Sequence, residues 1–263
     1  MNANYARGCR RLEGKAVVVA GASTGIGRGT ALRLAAEGAT VAVAAPAGEK
    51  AKIDSLVEEI NAMGSRAVGY AFDATDDASI AALIGGAASS FGGIDAVHAN
   101  FADLRVLMSD SDALTVTEEV MERTLDVNLK GMLRITRHAV PKLLERGGGA
   151  MIYTSSAAAI AAEPVRPCYA MAKAGINALV RHVASGWGQQ GIRANAIMPG
   201  LIITPELRQT MPTDFQQEVL ARGRSPRLGE VEDIAAMVAL LVSHDGEWIS
   251  GQCIAVDGGS TMN

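Results

Sequence analysis

Tyr169 and Lys173 stand four residues apart in the run Tyr169-Ala170-Met171-Ala172-Lys173, and Ser156 lies thirteen residues upstream of the tyrosine. On a helix, positions i and i+4 share a face, so the Lys173 ammonium is expected near the Tyr169 phenol, where it favours the ionised form. A phenol tuned toward neutrality shuttles protons. Near the other end of the chain, Gly21-Ala22-Ser23-Thr24-Gly25-Ile26-Gly27 is a glycine-rich turn. Such a turn, following a first strand and opening a helix, offers backbone N–H groups and a helix dipole to a pyrophosphate. A Tyr-x-x-x-Lys spacing alone is common by chance; joined to the glycine turn it makes the chain readable as an enzyme.

Both features need elements to hold them. Val17 to Ala20 is a short apolar run feeding the glycine turn, and from Ile26 to Glu37 the pattern turns helical until Gly38 stops it. The unit repeats. Val41 to Ala44 predicts a second strand, followed by a helix with Ile53, Leu56, Val57 and Ile60 at helical spacing. Ala67 to Phe72 predicts a third strand, ending in Asp73, with Asp76 or Asp77 capping the next helix. Ala96 to Ala99 is a fourth strand. After an irregular stretch, Thr117 caps a long helix that carries Asn128, and Gly131 and Pro141 inside it predict a bend. Ala150 to Thr154, Arg193 to Ile197 and Cys253 to Val256 are strands five to seven. The final helix presents Ile234, Met237, Val238 and Leu241 on one face. Alternating short strands and helices predict a single-domain, Rossmann-type, doubly wound parallel sheet of about seven strands with helices on both faces, over residues 1–263. Residues 1–13 read as an N-terminal extension. Residues 201–225, with Pro205 and Pro212 and few apolar repeats, read as a substrate lid, a surface linker being the alternative.

At 263 residues with a net charge of -4 and no basic run, the chain has little to offer a polynucleotide backbone. No stretch approaches a membrane-spanning length, and no apolar segment follows Arg7, Arg10 and Arg11, so neither a membrane partner nor a signal peptide is expected. Cys9, Cys168 and Cys253 are odd in number and widely spaced, which points to reduced thiols in a cytoplasmic setting. His98, His138, His182 and His244 lack the spacing of zinc ligands, so no metal is expected.

On this scaffold the motifs resemble those of the classical short-chain dehydrogenase/reductase family, from about Lys15 to Gly259. The family's Thr-Gly-x-x-x-Gly-x-Gly is matched by Ala20-Gly21-Ala22-Ser23-Thr24-Gly25-Ile26-Gly27, without the threonine. Its catalytic asparagine, serine, tyrosine and lysine fall on Asn128, Ser156, Tyr169 and Lys173. The resemblance implies hydride transfer between NAD(P)(H) and a secondary alcohol or ketone, with Tyr169 as general acid or base. It further implies that Lys173 also holds the nicotinamide ribose, Ser156 bonds the reacting oxygen and Asn128 steadies a water. Gly21, Ser23, Gly25, Ile26 and Gly27 are then expected along the pyrophosphate and ribose, Asp73-Ala74 at the adenine, and Pro199, Gly200, Ile202 and Thr204 beneath the nicotinamide. For Asp73 a plain helix-entry turn is nearly as good a reading. A homo-oligomer, tetramer or dimer, is implied as well, with the helices around Asn128 and Tyr169 at one interface.

Two departures fall together. The family's Asn-Asn-Ala-Gly reads Ala99-Asn100-Phe101-Ala102, and Ala20 replaces the threonine that ties strand one to this segment. Alternative packing is expected, Asn100 remaining a cofactor contact, with Phe101 either a pocket wall or core. At the end of the second strand, where a carboxylate would select NAD, stand Ala45 and Pro46; Lys50 and Lys52 are the nearest cations, and the lean is to NADP(H). Ile160, Leu201, Leu207, Met211 and Phe215 suggest a hydrophobic or alicyclic small-molecule substrate, unless they simply pack the lid. One alternative is a 3-oxoacyl-carrier reductase whose Arg134, Arg137, Lys142 and Arg146 dock an acidic carrier. Another is a dinucleotide-binding sensor without turnover, against which the retained Ser156, Tyr169 and Lys173 count. An enoyl reductase is disfavoured, because related enzymes space the tyrosine and lysine more widely.

Overall fold

A computed structural model describes residues 10–262; Arg7, Cys9 and most of the N-terminal extension lie outside the described residues. Nine strands and nine α-helices are described: β1 (Ala16–Ala20), α1 (Gly25–Ala36), β2 (Thr40–Ala45), α2 (Lys50–Ala62), β3 (Ala67–Ala71), α3 (Asp77–Phe91), β4 (Ala96–Ala99), α4 (Glu118–Leu125), α5 (Gly131–Glu145), β5 (Gly149–Thr154), α6 (Pro167–Trp187), β6 (Ile192–Pro199), β7 (Ile202–Ile203), α7 (Pro205–Thr210), α8 (Thr213–Arg222), β8 (Gly229–Glu230), α9 (Val231–Val242) and β9 (Cys253–Val256). Seven of the strands form one parallel sheet in the order β3-β2-β1-β4-β5-β6-β9.

Alternation along each strand divides the core. From β1, Val18 and Ala20 face α3, α5 and α6, packing with Ile80, Leu83, Ile135 and Val180. Val17 and Val19 face the other way, toward α1, α2 and α9, with Leu34, Leu56, Ile234 and Leu241. Sheets covered on both faces read as continuous apolar runs, and β1 is buried at every position. The strand order reverses direction between β1 and β4, so the crevice beyond their C-terminal ends is where such sheets take ligands.

The caps expected from the sequence are made: Asp76 accepts from the Ala78 N–H and Thr117 from the Val120 N–H. The long helix departs from expectation. Its irregularity is a five-residue π turn, Asp126–Lys130, between α4 and α5, while Pro141 lies inside α5. Gly131 answers to packing. A Cβ there would stand 2.9 Å from Cε2 of Phe101 and 3.1 Å from the Ala74 carbonyl. β7 and β8 are two residues each and pair as a separate small sheet, clamping the two ends of the segment that holds α7 and α8. No helix among the described residues is long and apolar enough to cross a membrane.

Candidate active site

Tyr169 lies in the first turn of α6 and Lys173 in the next. Pro167 at the helix start fits a position whose N–H needs no partner. The residue before it, Arg166, has a left-handed backbone (φ 66°), held by its N–H donating to the carbonyls of Asp110 and Ser111. Asp110 does more. Its buried carboxylate accepts from the N–H groups of Cys168 (3.2 Å) and Tyr169 (2.8 Å), capping α6 from a loop far away in the chain.

The Lys173 side chain is buried and its Nζ donates to the Thr154 carbonyl at the end of β5 (2.7 Å), lying 5.5 Å from the centre of the Tyr169 ring. Burial brings its pKa down to about 8. Burial also raises the Tyr169 phenol above its ordinary value, with the nearby Ser156 hydroxyl and the charge of Arg166 pulling the other way. Here the expectation from i, i+4 geometry is corrected: Lys173 passes the ring and spends its charge on a carbonyl, so desolvation outweighs any lowering of the phenol.

Ser156 Oγ accepts the Ala158 N–H, as cap of the short helical turn Ala157–Ala159. Asn128 is fully buried within the π turn. Its Oδ1 accepts the Asp103 N–H at 2.8 Å, while its Nδ2 has no protein partner, a donor without an acceptor. Asp103 is itself fixed by Arg105 and Arg123, whose guanidiniums hold its carboxyl well below the usual range. α6 packs on both the π turn and the 157–159 turn, and Gly175 allows the approach, since a Cβ there would meet Leu129 Cδ1 at 2.7 Å. Asn128 and Ser156 are thereby brought to the helix that carries Tyr169 and Lys173.

Across the crevice, the glycine turn is set by contacts that exclude side chains. Gly21 has φ 89° and a Cβ on it would lie 2.9 Å from the Phe101 nitrogen; one on Gly27 would overlap the Gly21 carbonyl at 1.8 Å. Thr24 precedes α1 without a side-chain cap, leaving the first turn at Gly25, Ile26 and Gly27 to an outside acceptor. A Cβ on Gly25 would come within 3.0 Å of Thr204 Cγ2, so Thr204 stands beside the turn. Its Oγ1 accepts the Leu207 N–H, and the hydroxyl proton remains to donate. Pro199 pairs with Val256 at the end of β6, Gly200 packs on Asp257, and Ile202 is buried in β7. Asp73 turns its carboxylate onto Thr75 as a helix-entry turn, with Ala74 buried after it. The glycine cradle, the uncapped helix start and the free Asn128 amide fit a dinucleotide with a reacting carbonyl beside it.

The altered tie between β1 and β4 is replaced by another. Asn100 donates from Nδ2 to the Gly21 carbonyl (3.0 Å) and accepts at Oδ1 from Thr154 Oγ1 (2.8 Å), which in turn meets His98 Nε2 (2.9 Å). Burial takes the His98 pKa down to about 3, so the ring is neutral. Phe101 belongs to the core, stacked edge-on against Phe72 with ring centres 5.4 Å apart. Arg134, Arg137, Lys142 and Arg146 are paired with Asp126, Asp77, Glu145 and Asp95. Glu49 bonds Ser23, a contact the sequence did not announce. Asp110, Thr154 and Glu49 are the residues that pattern reading passed over. Each acts through a partner distant in sequence, and none lies in a motif.

The sequence profile of the family described as "Enoyl-(Acyl carrier protein) reductase" matches residues 21–261. A probable short-chain type dehydrogenase/reductase of Bradyrhizobium diazoefficiens is 36% identical over 249 residues, 95% of this chain and 88% of that protein. Among solved structures, a 7α-hydroxysteroid dehydrogenase complexed with NADH and 7-oxo glycochenodeoxycholic acid superposes with a TM-score of 0.88 at 29% identity, covering 97% of this chain and 98% of the other. A short-chain dehydrogenase from Burkholderia cenocepacia in complex with NADP gives a TM-score of 0.85 at 29% identity, with 95% and 99% covered.

Proposed function

The chain belongs to the short-chain dehydrogenase/reductase family, and from that premise we propose the roles of its residues. It is an NAD(P)-dependent oxidoreductase that moves a hydride between coenzyme and a secondary alcohol or ketone. The dinucleotide, when bound, supplies or receives the hydride. Tyr169 supplies the matching proton at the substrate oxygen. The observation that carries this reading is the Tyr169 phenol held near Ser156, with Lys173 one helical turn away and its Nζ 5.5 Å from the centre of the phenol ring.

A raised phenol pKa keeps Tyr169 protonated at neutral pH, the form that donates to a ketone. Ser156 orients the same oxygen. Lys173 holds the nicotinamide ribose, and the free amide of Asn128 holds a water leading the proton outward. Gly21, Ser23, Gly25, Ile26 and Gly27 carry the pyrophosphate and ribose, Asp73, Ala74 and Asn100 the adenosine side, and Pro199, Gly200, Ile202 and Thr204 the nicotinamide. Ala45 leaves the end of β2 open to a 2′-phosphate, the ground for NADP(H); Glu49 stands against it.

The substrate is a hydrophobic or alicyclic compound, supported by the exposed Ile160 beside Ser156 and the exposed Phe215 on α8. The pairing of the four cations on and around α5 counts against an acyl-carrier dock. The whole chain forms one domain, with residues 201–225 closing over the substrate. Exposed Leu133 and Met171 on α5 and α6 support a homo-oligomer, dimer or tetramer, and free Cys168 and Cys253 a cytoplasmic site of action; light scattering that finds a monomer removes the first. A panel of alcohols and ketones, run with Tyr169→Phe in parallel, tests the whole. The variant is expected to bind dinucleotide and lose turnover by about 10²-fold or more. Unchanged activity would remove the assignment, and binding without any turnover by the unaltered chain would make it a sensor.

A further inference from the structure

Pro46 ends β2 and leads into the short helical turn Ala47–Glu49, which folds back toward the glycine turn. Glu49 there accepts a hydrogen bond from Ser23 Oγ, a residue 26 positions away and itself buried in the cradle. The glycine turn is fixed to the same strand end, since the N–H groups of Gly21 and Ala22 both donate to the Ala44 carbonyl. Ser23, Ala45 and Glu49 therefore surround one place. In a doubly wound sheet the ribose next to a pyrophosphate at the α1 terminus falls between this turn and the end of β2.

Resting on the dinucleotide reading above, we propose that Glu49 selects NAD(H) over NADP(H) in this chain. Its carboxylate, reaching in from beyond the strand, accepts the ribose hydroxyls and repels a 2′-phosphate, although the strand end itself is Ala45. The hydrogen bond from Ser23, with Lys52 adding its charge, holds the carboxyl below its ordinary value, so it is ionised at neutral pH. The nearby cations do not compensate. Lys52 is bound to Glu49 itself at 3.0 Å, Lys50 to Asp54 at 2.5 Å, and Arg28 to Glu59. This reverses the lean to NADP(H) that Ala45 and Pro46 give, because the spacing of Glu49 from the strand hides its return to the turn.

The test is direct titration of NADH and NADPH by coenzyme fluorescence, with no substrate present. The unaltered protein is expected to bind NADH about 10-fold to 100-fold more tightly, the scale of one carboxylate facing a phosphate at a partly exposed site. Glu49→Gln keeps the shape and loses the charge, and should shrink that ratio to within about threefold. Glu145→Gln, at the end of α5 and paired there with Lys142, should leave it unchanged. Tighter NADPH binding by the unaltered protein, or a ratio that Glu49→Gln leaves intact, overturns the proposal. Binding of neither coenzyme overturns the dinucleotide reading along with it, a result distinct from equal binding of both.

Discussion

Replacing Asp110 should displace the reacting phenol without touching any residue of the site's own motifs. Asp110 is 2% exposed, and its two oxygens take the N–H groups of Cys168 and Tyr169 at 3.2 and 2.8 Å. Each is a charge-assisted hydrogen bond, worth about 1.5–3 kcal/mol net, and each amide is left without a partner when the carboxylate goes. Relief of the buried charge offsets part of this, so Asp110→Ala should cost about 2–4 kcal/mol in stability. Asp110→Asn keeps one acceptor and should cost about half. Because the Tyr169 amide is itself released, kcat should fall at least about tenfold, with a smaller loss of coenzyme affinity, since Lys173 shares the helix but the glycine turn lies on the other side of the crevice. Urea unfolding at fixed protein concentration, kcat with saturating coenzyme and a coenzyme titration read the three quantities. A loss below about 0.5 kcal/mol with unchanged kcat would refute the claim that this carboxylate positions α6.

Lys173 makes stability depend on pH. Its folded pKa of about 8 lies below the ordinary 10.5, so the unfolded chain holds the proton longer and stability rises with pH between those values, by about 3 kcal/mol in all. Lys173→Met should flatten that rise, and urea midpoints from pH 7 to pH 10 check it. Gly131→Ala pushes a methyl to 2.9 Å from Phe101, and the strain should exceed the gain in helix propensity of about 1 kcal/mol, giving a net loss of about 1–2 kcal/mol. Adding Phe101→Leu should recover most of it in a double-mutant cycle; simple additivity would mean the two residues are uncoupled. Thr154→Val strips the hydroxyl from both His98 and Asn100 and should cost about 2–3 kcal/mol while raising the coenzyme KM more than it lowers kcat. Equal effects on kcat and KM would show that the chain of hydrogen bonds does not reach the glycine turn.

The sequence alone determined what depends on near neighbours. Strand runs buried on both faces, helix caps at Asp76 and Thr117 and helical spacing in α2 and α9 are local patterns, and they placed the seven strands of the main sheet within a residue or two. β7 and β8 escaped because two residues carry no periodicity. Tyr169, Lys173 and the glycines were legible because spacing along one helix or one turn fixes their geometry. Tertiary structure decided what depends on partners far along the chain. It placed a distant loop carboxylate, Asp110, on the helix of Tyr169, turned Lys173 onto a carbonyl of β5, and sent Phe101 into the space that Gly131 leaves. It also returned Glu49 to Ser23 across 26 residues. A hydrogen bond depends on where two groups meet in space, and that position is set only once the sheet has ordered its strands.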